Sequence, residues 1–171
     1  MLNWLRKRQL RKLEDQRISL EYPGILGVKK VALLFTWEEI PEEFVRYLLD
    51  KLESRQWEVQ VLAYFPAKAA QSPGHLTWEN LAQNECNWLG KPKGSIVQSF
   101  CANHYDLLID CAQGKPRQLD FLRAMLNSAL VVDIKPEEPG PYCNLHLRSD
   151  PSEDREKILT TLFSILKIDQ P

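Results

Sequence analysis

Hydrophobic positions in this chain alternate between two patterns, short continuous runs and stripes at helical spacing. Leu2, Leu5, Leu10 and Leu13 form the first stripe. At 100° per residue they fall within roughly 140° of one another, which predicts an amphipathic helix over the opening twenty residues. "EYPGILG" ends it, with Pro23, Gly24 and Gly27 as breakers. "KKVALLFTW" (29–37) is a continuous apolar run, the mark of a strand covered on both faces of a parallel sheet. Residues 38–55 carry Phe44, Val45, Leu48, Leu49 and Leu52 at helical spacing. Pro41 and the acids around it suit that helix's first turn. "WEVQVLAYF" (57–65) reads as a second strand, completing a strand–helix–strand unit whose crossover is right-handed.

The rest of the chain repeats the alternation. Pro66 to His75 reads as a loop, and "LTWENLA" within 76–86 fits either a helical turn or an edge strand. Ile96, Val97, Phe100, Cys101 and His104 make the stripe of a short helix. "YDLLIDCA" (105–112) predicts a central strand, 116–129 a helix with Phe121, Leu122, Met125 and Leu126 inward, and "ALVVDI" (129–134) another strand. "YCNLHLR" (142–148) alternates, as an edge strand with one wet face does. A last helix has Asp150 as cap, Pro151 and Glu153 in its first turn, and Ile158, Leu162, Ile165 and Leu166 as its buried face.

Strands alternating with helices define an α/β domain over 23–171, preceded by a basic helix over 1–22. The expected architecture is three-layered: a mainly parallel five- or six-stranded sheet, helices on both faces, Rossmann-like or flavodoxin-like. Ligands in such sheets bind beyond the carboxyl ends of the strands, which nominates the loops after Phe35, Phe65, Asp110 and Ile134.

Composition changes little in this picture. The 171 residues, 44% hydrophobic and 26% charged, suit one domain with a sizeable core. Net charge is −1, so no global field favours nucleic acid or an acidic membrane. Residues 1–20 nevertheless carry Arg6, Lys7, Arg8, Arg11, Lys12 and Arg17 against Glu14 and Asp15. Cys86, Cys101, Cys111 and Cys143 are widely spaced, with no CxxC and no metal-like pairing with the histidines. That pattern suits reduced thiols, not a disulfide frame or a zinc site. The N-terminus has no apolar run long enough for a secretory signal or a membrane span. A cytoplasmic protein is expected.

Candidate chemistry is sparse. "NWLGKPKGS" (87–95) has phosphate-loop composition, but its glycines are four apart, its lysines precede the second glycine, and Pro92 removes one N–H. The preferred reading is structural: Ser95 with Gln98 three residues on forms a capping box, and Trp88 and Leu89 pack. The alternative is an anion site at the helix start, with Lys91, Lys93, Gly94 and Ser95 taking the anion and Asp110 and Gln113 taking hydroxyls. Asp106 and Asp110 lie about 13 Å apart by strand rise, too far to share one metal or one proton. Asp110 ends a central strand, where either a ligand contact or a loop cap is expected. His75, His104 and His146 fit no catalytic order, and no cysteine has a basic setting. The N-terminal helix is expected to dock on the body or to pair with a second copy through Leu2, Leu5, Leu10 and Leu13. Membrane or nucleic-acid contact is the lesser expectation, since Trp4 lies off the leucine stripe.

Asn87-Trp88-Leu89-Gly90-Lys91-Pro92 and Tyr105-Asp106-Leu107-Leu108-Ile109-Asp110 resemble two elements of a bacterial family of uncharacterised proteins of this length, a domain of unknown function. Ala129–Ile134 matches less closely, reading Val132-Asp133-Ile134 where the family has a "VGi". The resemblance implies no activity, cofactor or catalytic residue. Residues 105–134 are also similar to part of the N-terminal half of heptose-transferring glycosyltransferases, but a complete enzyme of that kind is not expected from 171 residues. The functional expectation is therefore a non-catalytic binding or protein-interaction module without a cofactor. The alternatives are a small-ligand or phosphometabolite site at the carboxyl edge of the sheet, and peripheral membrane attachment through residues 1–20.

Overall fold

The computed structural model describes residues 2–37, 39–66, 78–112, 117–135, 138–149 and 155–167. Its strands are β1 (Lys30–Thr36), β2 (Glu58–Phe65), β3 (Glu79–Ala82), β4 (His104–Asp110), β5 (Asn127–Ile134) and β6 (Leu145–Leu147). All pair in parallel, in the order β3-β2-β1-β4-β5-β6. The α-helices among the described residues are α1 (Leu2–Glu14), α2 (Glu42–Glu53), α3 (Ser95–Ala102), α4 (Arg117–Met125) and α5 (Arg155–Ile165). The chain moves outward from β1 to β3, returns to the centre at β4, and moves outward again to β6. This is the doubly wound order, and its switch point lies between β1 and β4.

Alternate residues of each strand face opposite layers. Val31, Leu33, Phe35, Leu107, Ile109 and Val132 pack under α2 and α5. Ala32, Leu34, Leu62, Tyr64, Leu108 and Val131 pack under α3 and α4. Two-sided cover is why "VALLFT" carries no polar alternation: every residue of β1 after Lys30 is buried. In α2 the five apolar positions of the stripe are the five buried ones, each worth about 1.5–3 kcal/mol relative to exposure. α1 lies outside the second layer, against α4.

Several expectations need correction. His104 is not on a helix face; α3 ends at Ala102 and His104 opens β4, exposed. Ile96 is 53% exposed, because a two-turn helix seats only the middle of its stripe: Val97, Phe100 and Cys101. On α5, Ile165 is 45% exposed while Leu159 and Phe163 are buried beside Ile158, Leu162 and Leu166. That set is a wider stripe turned by about one residue. Of "LTWENLA", Glu79–Ala82 form the edge strand β3 and not a helical turn; a 3-10 turn follows over Gln83–Glu85, and residues 76 and 77 lie outside the described residues. The loop over 67–75 with His75, and the cap at Asp150, Pro151 and Glu153, lie outside the described residues.

Candidate functional site

"NWLGKP" folds into a closed turn held by backbone hydrogen bonds and by one side chain, Asn87. Cys86 and Pro92 form an antiparallel bridge, and the Lys93 N–H donates to the Glu85 carbonyl at 3.0 Å. Inside that bridge the Asn87 N–H donates to the Lys91 carbonyl at 2.8 Å, and the Asn87 carbonyl accepts the Gly90 N–H at 2.8 Å. Asn87 Oδ1 also accepts the N–H groups of Leu89 at 3.0 Å and Lys91 at 2.9 Å. Gly90 has φ +95°, and a Cβ there would stand 3.1 Å from Arg117 Cβ. A glycine is thus required both by the backbone and by the close seat on the first turn of α4. Leu89 packs as expected, at 4% exposure, but Trp88 does not. It stands at the tip of the turn, 68% exposed.

The helix entry also differs from expectation. Gly94 occupies the N-cap position of α3 with no side-chain cap, and Ser95 is the first helical residue. Gln98 Nε2 donates to the Pro92 carbonyl at 3.1 Å instead of reaching back to the helix end. The capping box at Ser95 is therefore not formed: the bridge carries the chain as far as Lys93, so the turn into the helix falls at Gly94. Lys93 and Ser95 are exposed, Lys91 and Gly94 half-buried.

Asp110 lies at the same carboxyl edge of the sheet but beneath the surface. It is fully buried; its Oδ1 accepts the Ala112 N–H at 2.9 Å. Arg123, from α4, donates Nε to its Oδ2 at 2.6 Å and Nη2 to its Oδ1 at 3.3 Å. The same Nη2 reaches the Ala112 carbonyl at 3.0 Å. Register places Asp133 opposite Asp110. Lys135 Nζ lies 2.7 Å from Asp133 Oδ2 and 4.0 Å from Asp110 Oδ2. The Gly140 N–H closes the cluster on Asp133 at 2.6 Å, where a side chain would crowd Lys135 Nζ at 3.2 Å. Burial opposes the Arg123 charge, but the surrounding carboxylates, Asp110 first and then Asp133 and Asp120, together outweigh it and raise the guanidinium pKa above its usual value. Two anions and two cations thus balance inside the fold. Of the residues expected to form one ligand group, Lys91 and Lys93 lie on the turn and Gly94 and Ser95 at the start of α3; Asp110 is buried and bonded to Arg123 of α4, and Gln113 lies outside the described residues. Asp106 is at the opposite edge, where Oδ2 accepts the N–H groups of Lys29 and Lys30 at 2.8 and 2.9 Å.

Helix α1 docks on the body. Leu5, Leu10 and Leu13 are half-buried on its α4 side, and Arg6 pairs with Asp120 of α4. Beyond the helix, Arg17 Nη1 donates to the Arg123 carbonyl at 3.0 Å and its guanidinium lies 4.0 Å from the Tyr142 ring centroid. The Tyr142 hydroxyl donates to Glu14 Oε1 at 2.7 Å. Burial lowers the Arg17 pKa against the pull of Tyr142 and Glu14, and burial together with that bond to Glu14 raises Tyr142. The outer face of α1 carries Trp4, 60% exposed, with Lys7, Arg8 and Arg11 exposed beside it. The Arg8 guanidinium sits 5.5 Å from the Trp4 ring. Trp4 is exposed because it lies across the helix from Arg6, which pairs with Asp120 of α4.

No group of three His, Cys, Asp or Glu among the described residues is placed to hold a metal ion. The four cysteines are free; burial, with Glu85, pushes Cys86 up to about 11, and burial, with Glu79, pushes Cys101 up to about 12. No helix among the described residues is long and apolar enough to cross a membrane. Residues 3–168 match a family of unknown function, DUF6913, and the chain belongs to that family. Comparisons with curated proteins and with solved structures found no match.

Proposed function

We propose, starting from a family to which no activity is attached, that this chain is a non-catalytic binding module working through the turn at 87–93. The observation that carries this reading is Trp88. An indole 68% exposed at the tip of a turn closed by its own hydrogen bonds is held ready for contact without an ordering cost on binding. Lys91 and Lys93 follow it on the same turn, so the complementary partner is anionic. The buried cluster of Asp110, Arg123, Asp133 and Lys135 supports a structural assignment for those charges, since each faces an opposite charge within the fold. Leu5, Leu10 and Leu13 are half-buried on a helix docked against α4, which favours docking on the body over self-association through them. A cytoplasmic location belongs to the same reading, supported by the four unpaired thiols.

Chromatography on immobilised heparin, used as a generic polyanion, tests it. The wild type should be retained at low salt and released as salt rises. A variant with Trp88→Ala, Lys91→Glu and Lys93→Glu should elute much earlier with an unchanged circular dichroism spectrum. Identical elution of the two proteins contradicts the reading.

A further inference from the structure

The first half of β5 has a free edge on its β6 side. Val131 turns both backbone groups that way: its N–H donates to Asn144 Oδ1 at 2.8 Å and its carbonyl accepts the Asn144 N–H at 2.9 Å. Backbone direction repeats every second residue of a strand, so Ala129 presents an N–H and a carbonyl to the same side. β6 pairs with β5 only from Val132 onward, and among the described residues no strand stands opposite Ala129. The Ile18 N–H is bonded to Asn127 Oδ1 at 3.2 Å, which stations residues 17–20 beside this edge. Between the two lies an open cleft of about 350 Å³, lined by Arg17, Ser19, Ser128, Ala129, Tyr142 and Asn144 among others. Its volume is that of a small-ligand site, on the order of 300–1,000 Å³.

Among the described residues of that lining, Arg17 alone is charged. It is half-buried, and its one hydrogen bond among the described residues goes to the Arg123 carbonyl, so most of its N–H donors are unused. Glu14 bears on this charge, but its Oε1 accepts the Tyr142 hydroxyl. Tyr142 holds the guanidinium over its ring from a backbone at φ +77°, a conformation bulky residues rarely adopt. Strain of that kind clusters at ligand clamps. One cation matches a single negative charge better than a phosphate dianion. Among its described residues the cleft also has no glycine and no helix start to supply the N–H groups a phosphate collects. A carboxylate fits. The N–H and carbonyl of Ala129 call for a group that offers a carbonyl and an N–H in return, which is an extended peptide unit.

We propose that this cleft receives the carboxyl-terminal end of an extended peptide, with the terminal carboxylate on Arg17 and one peptide unit added to the free edge at Ala129. The Ser19 hydroxyl and the Asn144 amide remain for other polar groups of the ligand. The site shares no residue with the turn at 87–93, and neither reading depends on the other. The test is binding of the full chain to a bead-bound library of random tetrapeptides, attached through their amino ends, as free carboxylates and as carboxamides. A subset of the carboxylate beads should bind, and the same sequences should lose about tenfold or more in affinity as carboxamides. Arg17→Gln should cost a similar factor, and Ala129→Pro, which removes an N–H facing outward from a strand edge, should also weaken binding. In 15N-labelled protein a bound tetrapeptide should shift the Ala129 amide and leave the amides of 87–93 in place. Unchanged thermal unfolding verifies each variant, and the carboxamide comparison needs no variant at all. Equal binding of carboxylates and carboxamides overturns the proposal, as does displacement of the peptides by equimolar inorganic phosphate. Shifts confined to 87–93, or a library in which nothing binds, overturn it too. Heparin retention is read separately, so the two readings can fail independently.

Discussion

Replacing Arg123 with leucine should cost this fold about 3–5 kcal/mol. The substitution roughly keeps the volume inside α4 and removes three hydrogen bonds: two to Asp110, at 2.6 and 3.3 Å, and one to the Ala112 carbonyl at 3.0 Å. More serious is what remains. Asp110 and Asp133 would face each other across adjacent strands with only Lys135 between them, buried and one positive charge short. Against a total stability on the order of 5–15 kcal/mol, the loss is a large fraction. Urea unfolding followed by tryptophan fluorescence reads it as a midpoint lowered by about 2 M, taking a slope of about 2 kcal/mol/M. Adding Asp110→Asn restores charge balance by leaving the Lys135–Asp133 pair alone. The double variant should therefore be more stable than the sum of the singles predicts, by at least about 1.5 kcal/mol. A cost below about 1 kcal/mol for Arg123→Leu, or strict additivity in the cycle, refutes the claim that these four charges form one buried unit.

Three further outcomes can be checked with the same unfolding assay. Asn87→Ala removes the acceptor for two N–H groups of the turn and should destabilise by about 1–3 kcal/mol, whereas Trp88→Ala should stay within about 0.5 kcal/mol of wild type. Equal costs would mean that the tryptophan packs. Gly90→Ala, at φ +95° and 3.1 Å from Arg117 Cβ, should cost about 1–2 kcal/mol. A neutral result would remove the close seat on α4. Cys86 and Cys101 titrate in the fold near 11 and 12, above their ordinary 9.0, so the folded state favours the protonated thiols. Their contribution is fully present below pH 9 and lost as pH rises through 11 to 12. Stability that is unchanged between pH 8.5 and 11, in wild type and in a Cys101→Ala variant alike, would count against it.

How far the sequence carried depended on whether a residue's setting was local. Continuous runs located β1 and β4, since two-sided burial leaves no polar alternation to confuse them. The five-residue stripe of α2 matched its buried face in full. Failures came where the decisive neighbour is remote. Ser95 and Gln98 have capping-box spacing, but the Cys86–Pro92 bridge moves the helix entry to Gly94. Trp88 is a large aromatic beside Leu89 and reads as core until the Asn87 hydrogen bonds place it outside. Arg123, Asp133 and Lys135 were missed because each looks like an ordinary charge until the register of β4 with β5 sets the two aspartates opposite each other. A weak signal was present: Asp133 and Lys135 end an apolar strand, and Arg123 interrupts the inward stripe of α4. Trp4 was readable in one respect: it lies off the leucine stripe and is exposed on α1.

The five tryptophans separate the central claim from its alternatives in one spectrum. Trp37, Trp57 and Trp78 are partly buried against the core under α2 and α5, while Trp4 on α1 and Trp88 on the turn at 87–93 are exposed. In an 15N-labelled sample the indole N–H resonances are resolved and can be followed during titration with a heparin oligosaccharide. The Trp88 signal, assigned from a Trp88→Phe variant, should shift with saturable dependence while those of Trp37, Trp57 and Trp78 stay in place. Shifts confined to Trp37, Trp57 and Trp78, or no shifts at all, would contradict the assignment of the turn at 87–93 as the working surface.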